Sequence, residues 1–303
     1  MKLETTLALV ISVGFAMSSQ AQILVNDTWA DGNRSSSGPD GGGIDSAWYA
    51  NSTANLTASV GHLAGTVAAA SSASWTTYIT DTFANSVNLA NVGDSIKIAW
   101  VFSMTGVNAG NASQGFHMGI LQSPNGGRLA ADGTPASQVY AGYGSFWNIG
   151  TTLGRGNNDN FDLMEWAVSG GANAFLSASA AYSKIGTGAG ANTATGYADG
   201  VTYTYQFTAA RTASGLQLDQ SISGGTLNGT GGMTNSFLDT TVSSFTFDTF
   251  GMRPTAGSVA ATGFDTTQFE VEFIPAVPEP AAAALLGLGS LGLILARRRQ
   301  VRR

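Results

Sequence analysis

The sequence predicts an all-β sandwich, and three observations carry that expectation. Charged residues make up 11% of 303, with three Lys and five Glu, so the long charged helix formers of bundles and coiled coils are scarce. Apolar residues recur at every second position in stretch after stretch, the period of a half-buried strand. Clusters of Gly, Asn, Asp and Ser separate those stretches, and Gly reaches 40 residues, which is the punctuation many short strands require. Hydrophobic content of 43% is too high for a disordered chain. Cys is zero, which excludes a disulfide framework, a Cys-ligated zinc site and thiol catalysis.

Residues 1–21 read as a secretory signal helix. Lys2 supplies positive charge, Leu7 to Met17 is an apolar run, and Ser19-Gln20-Ala21 places small residues at the −3 and −1 positions. Cleavage is expected between Ala21 and Gln22. The run is too short to span a membrane and leads into polar, Gly-rich chain.

Residues 22–276 read as one β-sandwich body with no break in composition. Ile96, Ile98, Trp100, Phe102 and Met104 share one face of a strand, with Lys97, Ala99, Val101 and Ser103 on the other. Phe116, Met118 and Ile120 alternate with His117, Gly119 and Leu121. Val201, Tyr203, Tyr205 and Phe207 alternate with Thr202, Thr204, Gln206 and Thr208. Leu216, Leu218 and Ile222 continue the pattern, as do Phe245 with Phe247, and Phe269, Val271 and Phe273. Many short strands broken by turn signals favour a sandwich or jelly roll. No clean internal period of 20–50 residues is present, which counts against a β-solenoid.

Residues 277–303 differ from the body. Pro278-Glu279-Pro280 precedes Ala281–Ala296, an apolar run without charge, and Arg297, Arg298 and Arg299 follow at once. The prolines start a helix cleanly, and the run is slightly short of the ~17–25 residues of an ordinary span. The arginines should stay cytoplasmic as a stop to translocation, which leaves the body outside. This tripartite end resembles the PEP-CTERM sorting signal of bacterial envelope proteins. The resemblance implies recognition by an exosortase, export through the secretion machinery, and anchorage of the inner membrane by a single transmembrane helix over 281–296 until processing. It further implies a final place in the cell envelope, at the surface or in an exopolysaccharide matrix.

The body's order of features resembles a concanavalin-A-like lectin/glucanase sandwich. The matching elements are Asp27-Thr28-Trp29 near the start, long strands in the middle, and a final strand Phe269–Ile274. The glucanase signature ExDxxE is absent.

Chemistry is sparse. Residues 23–276 hold seven basic and 17 acidic side chains, a net charge of −10 that should repel nucleic acid and anionic lipid. Glu270 and Glu272 share a strand face, as paired hydrolytic carboxylates would, and read as the solvent side of an edge strand. Asp162 and Glu165 are three apart and should face opposite sides. His62 and His117 lie on separate segments, and no GxSxG elbow is present. No catalytic residue is assigned, and no cofactor is required. Calcium suits two oxygen-rich stretches, Asp27 to Asp45 and Asn157 to Asp162, with Asp159 and Asp162 as candidate ligands, although turn chemistry explains both. Tyr140, Tyr143, Phe146 and Trp147 stand among small residues and are the candidate carbohydrate contacts, with core filling as the competing role. The expectation is a structural, adhesive or carbohydrate-binding surface protein; the alternative is a polysaccharide-degrading enzyme on the same fold.

Overall fold

A computed structural model describes residues 20–34, 45–51, 56–66, 74–79, 85–107, 115–124, 127–133, 135, 140–153, 160–167, 176, 182–188, 193–254 and 261–276. The expected signal helix and the expected transmembrane helix lie outside the described residues. Among those described, no helix is long and apolar enough to cross a membrane.

Among the described residues seventeen strands make up the body, which is one compact unit over Ala21–Pro275. First come β1 (Gln22–Asp27), β2 (Trp48–Ala50), β3 (Leu56–Ser59), β4 (His62–Thr66) and β5 (Trp75–Tyr78). A short β6 (Val87–Asn88) precedes the long strands β7 (Ser95–Thr105), β8 (Gly115–Gln122), β9 (Ala141–Asn148) and β10 (Asn160–Ala167). Then follow β11 (Tyr182–Gly186), β12 (Tyr203–Thr212), β13 (Gly215–Ser223) and β14 (Gly232–Asp239). The chain finishes with β15 (Thr246–Phe247), β16 (Thr249–Pro254) and β17 (Gly263–Ile274).

Two antiparallel sheets result. One runs β14-β13-β12-β7-β17-β4-β3, with β1 also on β17; the other runs β11-β10-β9-β8-β16-β5-β2, and β6 pairs with β15 separately. The all-β sandwich expected from the alternation is therefore the fold. The period-two faces of β7, β12 and β13 land where their patterns point. Ile96, Ile98, Trp100, Phe102 and Met104 of β7 are all buried between the sheets, against Phe116, Met118 and Ile120 of β8 and Tyr203, Tyr205 and Phe207 of β12. The centre is a stack of rings. Trp100 lies 3.7 Å from Phe102 at 10° and 5.7 Å from Phe116, and its indole Nε1 donates to Thr266 Oγ1 at 2.9 Å. Offset aromatic stacking of this kind adds to the apolar area it buries.

One strand expectation is corrected. Glu270 and Glu272 do face outward, but β17 is no edge. It pairs with β7 along its length and with β1 and β4 on its other side. An eleven-residue apolar strand such as β7 needs partners on both sides, and the last strand supplies one of them. The β12–β13 hairpin shows why a glycine stands at 215. Its φ is 152°, and a Cβ there would run into the carbonyl of Asp239 on the neighbouring β14.

Acidic residues close turns throughout. Asp27 accepts from the Trp29 amide at 2.9 Å, Asp31 from the Asn33 amide at 2.8 Å, and Asp239 from the Thr241 amide at 2.8 Å. This i to i+2 bonding is the Asx-turn pattern. Asp27 is the most constrained of the three. It also accepts from the amide and hydroxyl of Ser46, both at 3.3 Å, and burial pushes its carboxyl up to about 6, with the nearby Asp45 adding to the rise.

Trp100→Ala should lower stability by ~3–5 kcal/mol, the cost of a large aromatic removed from a packed core, read from urea denaturation. Glu270→Gln on the outward face should change it by less than about 0.5 kcal/mol.

The raised carboxyl of Asp27 has a defined sign. Its folded pKa exceeds the ordinary 3.8, so its contribution is fully present below pH 3.8 and is lost as pH rises through about 6. Thermal melts of the parent and Asp27→Asn should therefore converge, or cross, as pH climbs through that window. A gap between the two that stays constant with pH would contradict this account of Asp27.

Candidate functional site

The seven-stranded sheet is apolar on both faces, which alternation alone does not demand. On its inner face stand Phe116, Met118, Ile120, Tyr143, Trp147, Phe161 and Leu163. On its outer face a second cluster gathers Leu121, Tyr140, Trp166 and Leu176, with the half-buried Tyr182 against it. The outer rings form a continuous wall. Tyr140 lies 5.1 Å from Trp166, Trp166 4.9 Å from Tyr182, Tyr182 4.9 Å from Phe146, and Phe146 stacks on His117 at 3.7 Å and 14°. β8, β9, β10 and β11 place these side chains side by side through their register, with His117 opposite Phe146 and Trp166 opposite Tyr182.

Leu176 lies on this wall. Its side chain is fully buried, and its carbonyl meets His117 Nδ1 at 2.7 Å. Gly119 makes the space, since a Cβ there would come within 2.8 Å of Leu176 Cδ2. Burial drives the His117 imidazole down to about 4, with the Arg253 charge adding, so the ring is neutral and donates from Nδ1. Burial likewise lowers the Arg253 guanidinium, and it raises the Tyr182 phenol far above its ordinary value. The Tyr182 hydroxyl is buried, and among the described residues it has no hydrogen-bond partner. Beyond it, Lys184 Nζ donates to Asp162 Oδ2 at 3.0 Å.

The four aromatics selected from the sequence do not form one open platform. All are buried. Tyr143 and Trp147 point between the sheets, because residues two and four apart on a strand share a face. Phe146 points outward to His117, and Tyr140 joins the outer cluster. Asp162, one of the two calcium candidates, is bonded within the chain: Lys184 donates to one oxygen and the Gly188 amide to the other at 2.7 Å. Asp159 lies outside the described residues. Among those described, no group of three or more His, Asp and Glu side chains could hold a metal ion.

Asp162 and Glu165 do face opposite ways. Glu165 turns inward to a carboxyl pair with Asp239, where it accepts from the Ser243 amide at 3.1 Å, while Tyr143 donates to Asp239 at 2.6 Å. Burial and then the Asp239 charge raise the Glu165 carboxyl. These groups bind one sheet to the other at the closed end of the core. His62 meets Asp265 at 2.9 Å on the exposed side of the other sheet, far in sequence from His117. Sequence reasoning missed Tyr182 and Arg253, and it weighed His117 only as a catalytic imidazole. The available signal was unbroken apolarity at Ile120-Leu121, Phe146-Trp147 and Leu163-Met164, which marks a strand buried on both faces.

Residues 276–300 match the sequence family described as the PEP-CTERM protein-sorting motif. No curated protein matches the chain. Among solved structures, peanut lectin in complex with a nine-residue peptide is similar at 9% identity, over 84% of this chain and 98% of its own, with a TM-score of 0.46. The endo-1,3-β-glucanase from Streptomyces sioyaensis is similar at 11% identity, over 88% of this chain and 100% of its own, also at 0.46. The exoplasmic/lumenal domain of VIP36, in a form bound to Ca2+ and Man2, is similar at 10% identity, over 78% and 84%, at 0.45. The C-terminal end of the chain therefore carries a PEP-CTERM sorting motif, joined directly to an all-β sandwich.

Proposed function

We propose that this is an exported envelope protein, sorted through its C-terminal motif by an exosortase, whose sandwich binds carbohydrate on the outer face of the seven-stranded sheet. The match of residues 276–300 supports the sorting half. The observation that carries the binding half is the aromatic wall on the outer face. A sandwich holds together on one buried face per sheet; here a second face, built of His117, Phe146, Trp166 and Tyr140 with the half-buried Tyr182 at its margin, is lined with rings as well. Ligand sites are apolar and aromatic with a few polar groups that fix orientation. Here Tyr182 and Arg253 are half-buried and Lys184 is exposed, which marks where the wall meets solvent. Sugar C–H faces pack on rings, and Arg253 and Lys184 are suited to sugar hydroxyls.

Binding is favoured over hydrolysis. Asp162 on the outer face is held by Lys184. The Glu165–Asp239 pair is buried between the sheets, away from that face. Glycoside cleavage needs two carboxyls flanking the bond.

The chain lacking residues 277–303 should be retained by at least one polysaccharide of a panel without releasing product. Tyr182→Ala should weaken that retention roughly tenfold or more, as truncation of an aromatic anchor does. Released oligosaccharides would establish the enzymatic alternative. Retention indifferent to Tyr182 would move the site elsewhere.

In a host that processes the parent chain, Glu279→Ala should stay full-length and membrane-bound by fractionation and intact mass. A Glu279→Ala protein trimmed like the parent would show that the motif is not what the sorting machinery reads.

A further inference from the structure

We infer that Arg34 and the turn at 132–133 cap the edge strand β2, and that what the cap keeps off is β2 of a second copy of this chain. β2 closes one side of the seven-stranded sheet. At the other side, β11 has β14 of the opposite sheet against it, with Gly186 beside Phe237. Within its sheet β2 has a strand on one side only, β5, with Tyr49 opposite Thr76.

Backbone groups alternate along an antiparallel strand, so Tyr49 bonds toward β5 while Trp48 and Ala50 present theirs outward. All four outward groups are satisfied by something other than a strand. The Trp48 amide donates to the Arg34 carbonyl at 2.7 Å, and Arg34 Nη1 donates to the Trp48 carbonyl at 2.9 Å. The Ala50 amide donates to Asp132 Oδ1 at 3.0 Å, and the Gly133 amide donates to the Ala50 carbonyl at 2.8 Å. Arg34 and Asp132 hold one another across 98 residues of sequence: Nη1 donates to Oδ1 at 2.7 Å, and Nη2 donates to Oδ2. The turn has a separate hold nearer its start. There Arg128 lies over the Tyr78 ring at 4.9 Å and meets Asp248 at 3.3 Å. The Arg34–Asp132 pair is thus the hold that serves the edge.

An open edge is a template for pairing with another chain, and proteins cover such edges with charged side chains and loops. The groups covered here are self-complementary. Two copies of β2 related by a two-fold axis between their Tyr49 residues set Trp48 of each opposite Ala50 of the other. That register exchanges four hydrogen bonds, one for each group the cap satisfies. It joins two seven-stranded sheets edge to edge with both outer faces on the same side.

In that register Tyr49 faces its own counterpart in a non-hydrogen-bonded pair, with Cα atoms about 4.5 Å apart, within reach of a disulfide. The chain has no Cys, so Tyr49→Cys introduces a single thiol. The full chain, in mild non-ionic detergent, is oxidised with diamide and read on a non-reducing gel. Circular dichroism matching the parent establishes folding. Hydrogen exchange at the Ala50 amide, in dilute reduced chain, establishes whether the cap is off. Tyr49→Cys alone should stay monomeric with a slowly exchanging Ala50 amide. Adding Asp132→Ala should make that amide exchange fast and cross-link most of the chain. Val92→Cys, on a residue 58% exposed, should not cross-link in the same Asp132→Ala background. A folded, uncapped Tyr49→Cys chain that stays monomeric overturns the inference. So does cross-linking that is equal without Asp132→Ala, or equal at position 92, or an Ala50 amide that stays slow once Asp132 is removed. If Asp132→Ala does not fold, Arg34→Ala opens the same pair from its other side and is read in the same way. Failure of both to fold makes the pair a requirement of the fold and overturns its role as an edge cap.

Discussion

The sandwich depends on where its last strand goes. β17 is the final strand in the chain and lies inside the eight-stranded sheet, with β7 on one side and β1 and β4 on the other. Trp100 at the centre of the core bonds to Thr266, 166 residues later. Contacts this far apart in sequence require loop closure before they contribute, so the sheet cannot close until Ile274 is available. The sorting motif begins a few residues beyond. Folding of the body and retention of its C-terminus are therefore tied to the same short stretch of chain. Gln22, the expected first residue after signal removal, lies beside Phe273, so neither expected processing event cuts a strand.

The fold was legible because one face of most strands is buried and the other is not. β7, β12 and β13 alternate cleanly, and each apolar residue named from the pattern is in the core. The pattern failed where both faces are buried. In β9 six residues from Tyr143 to Asn148 are buried in succession, which leaves no alternation to read. The rings of Tyr140 to Trp147 looked like one cluster because they are adjacent in sequence, while a strand sends neighbours to opposite faces. The wall that does form draws its members from β8, β9, β10 and β11, and only register brings them together.

The acidic residues teach a similar lesson. Asp and Asn clusters suggested a cation, and three of the described carboxylates take the chain's own amides, hydroxyls and cations. Asp27 takes Trp29 and Ser46, Asp162 takes Gly188 and Lys184, and Asp248 takes the amide and hydroxyl of Ser123 at 2.8 and 2.7 Å. A buried carboxylate is costly unless such donors surround it. Asp-rich turns in a Gly-rich chain supply those donors locally, and spacing in the sequence does not distinguish that use from metal ligation.

The two sheets also act as controls for one another. Both close the same core, and both have an outer face the core does not need. On the eight-stranded sheet that outer face carries Lys97, Thr204, Gln206, Thr208, Glu270 and Glu272, the polar residues an outward strand face ordinarily holds. On the seven-stranded sheet it carries His117, Phe146 and Trp166, all buried, and the half-buried Tyr182. The difference between the faces is one of burial: Leu176 packs on the second one with Leu121, Tyr140 and Trp166, and its carbonyl accepts from the neutral His117. A face covered in this way is filled with rings, because polar side chains there would each need a partner to offset the water they lose.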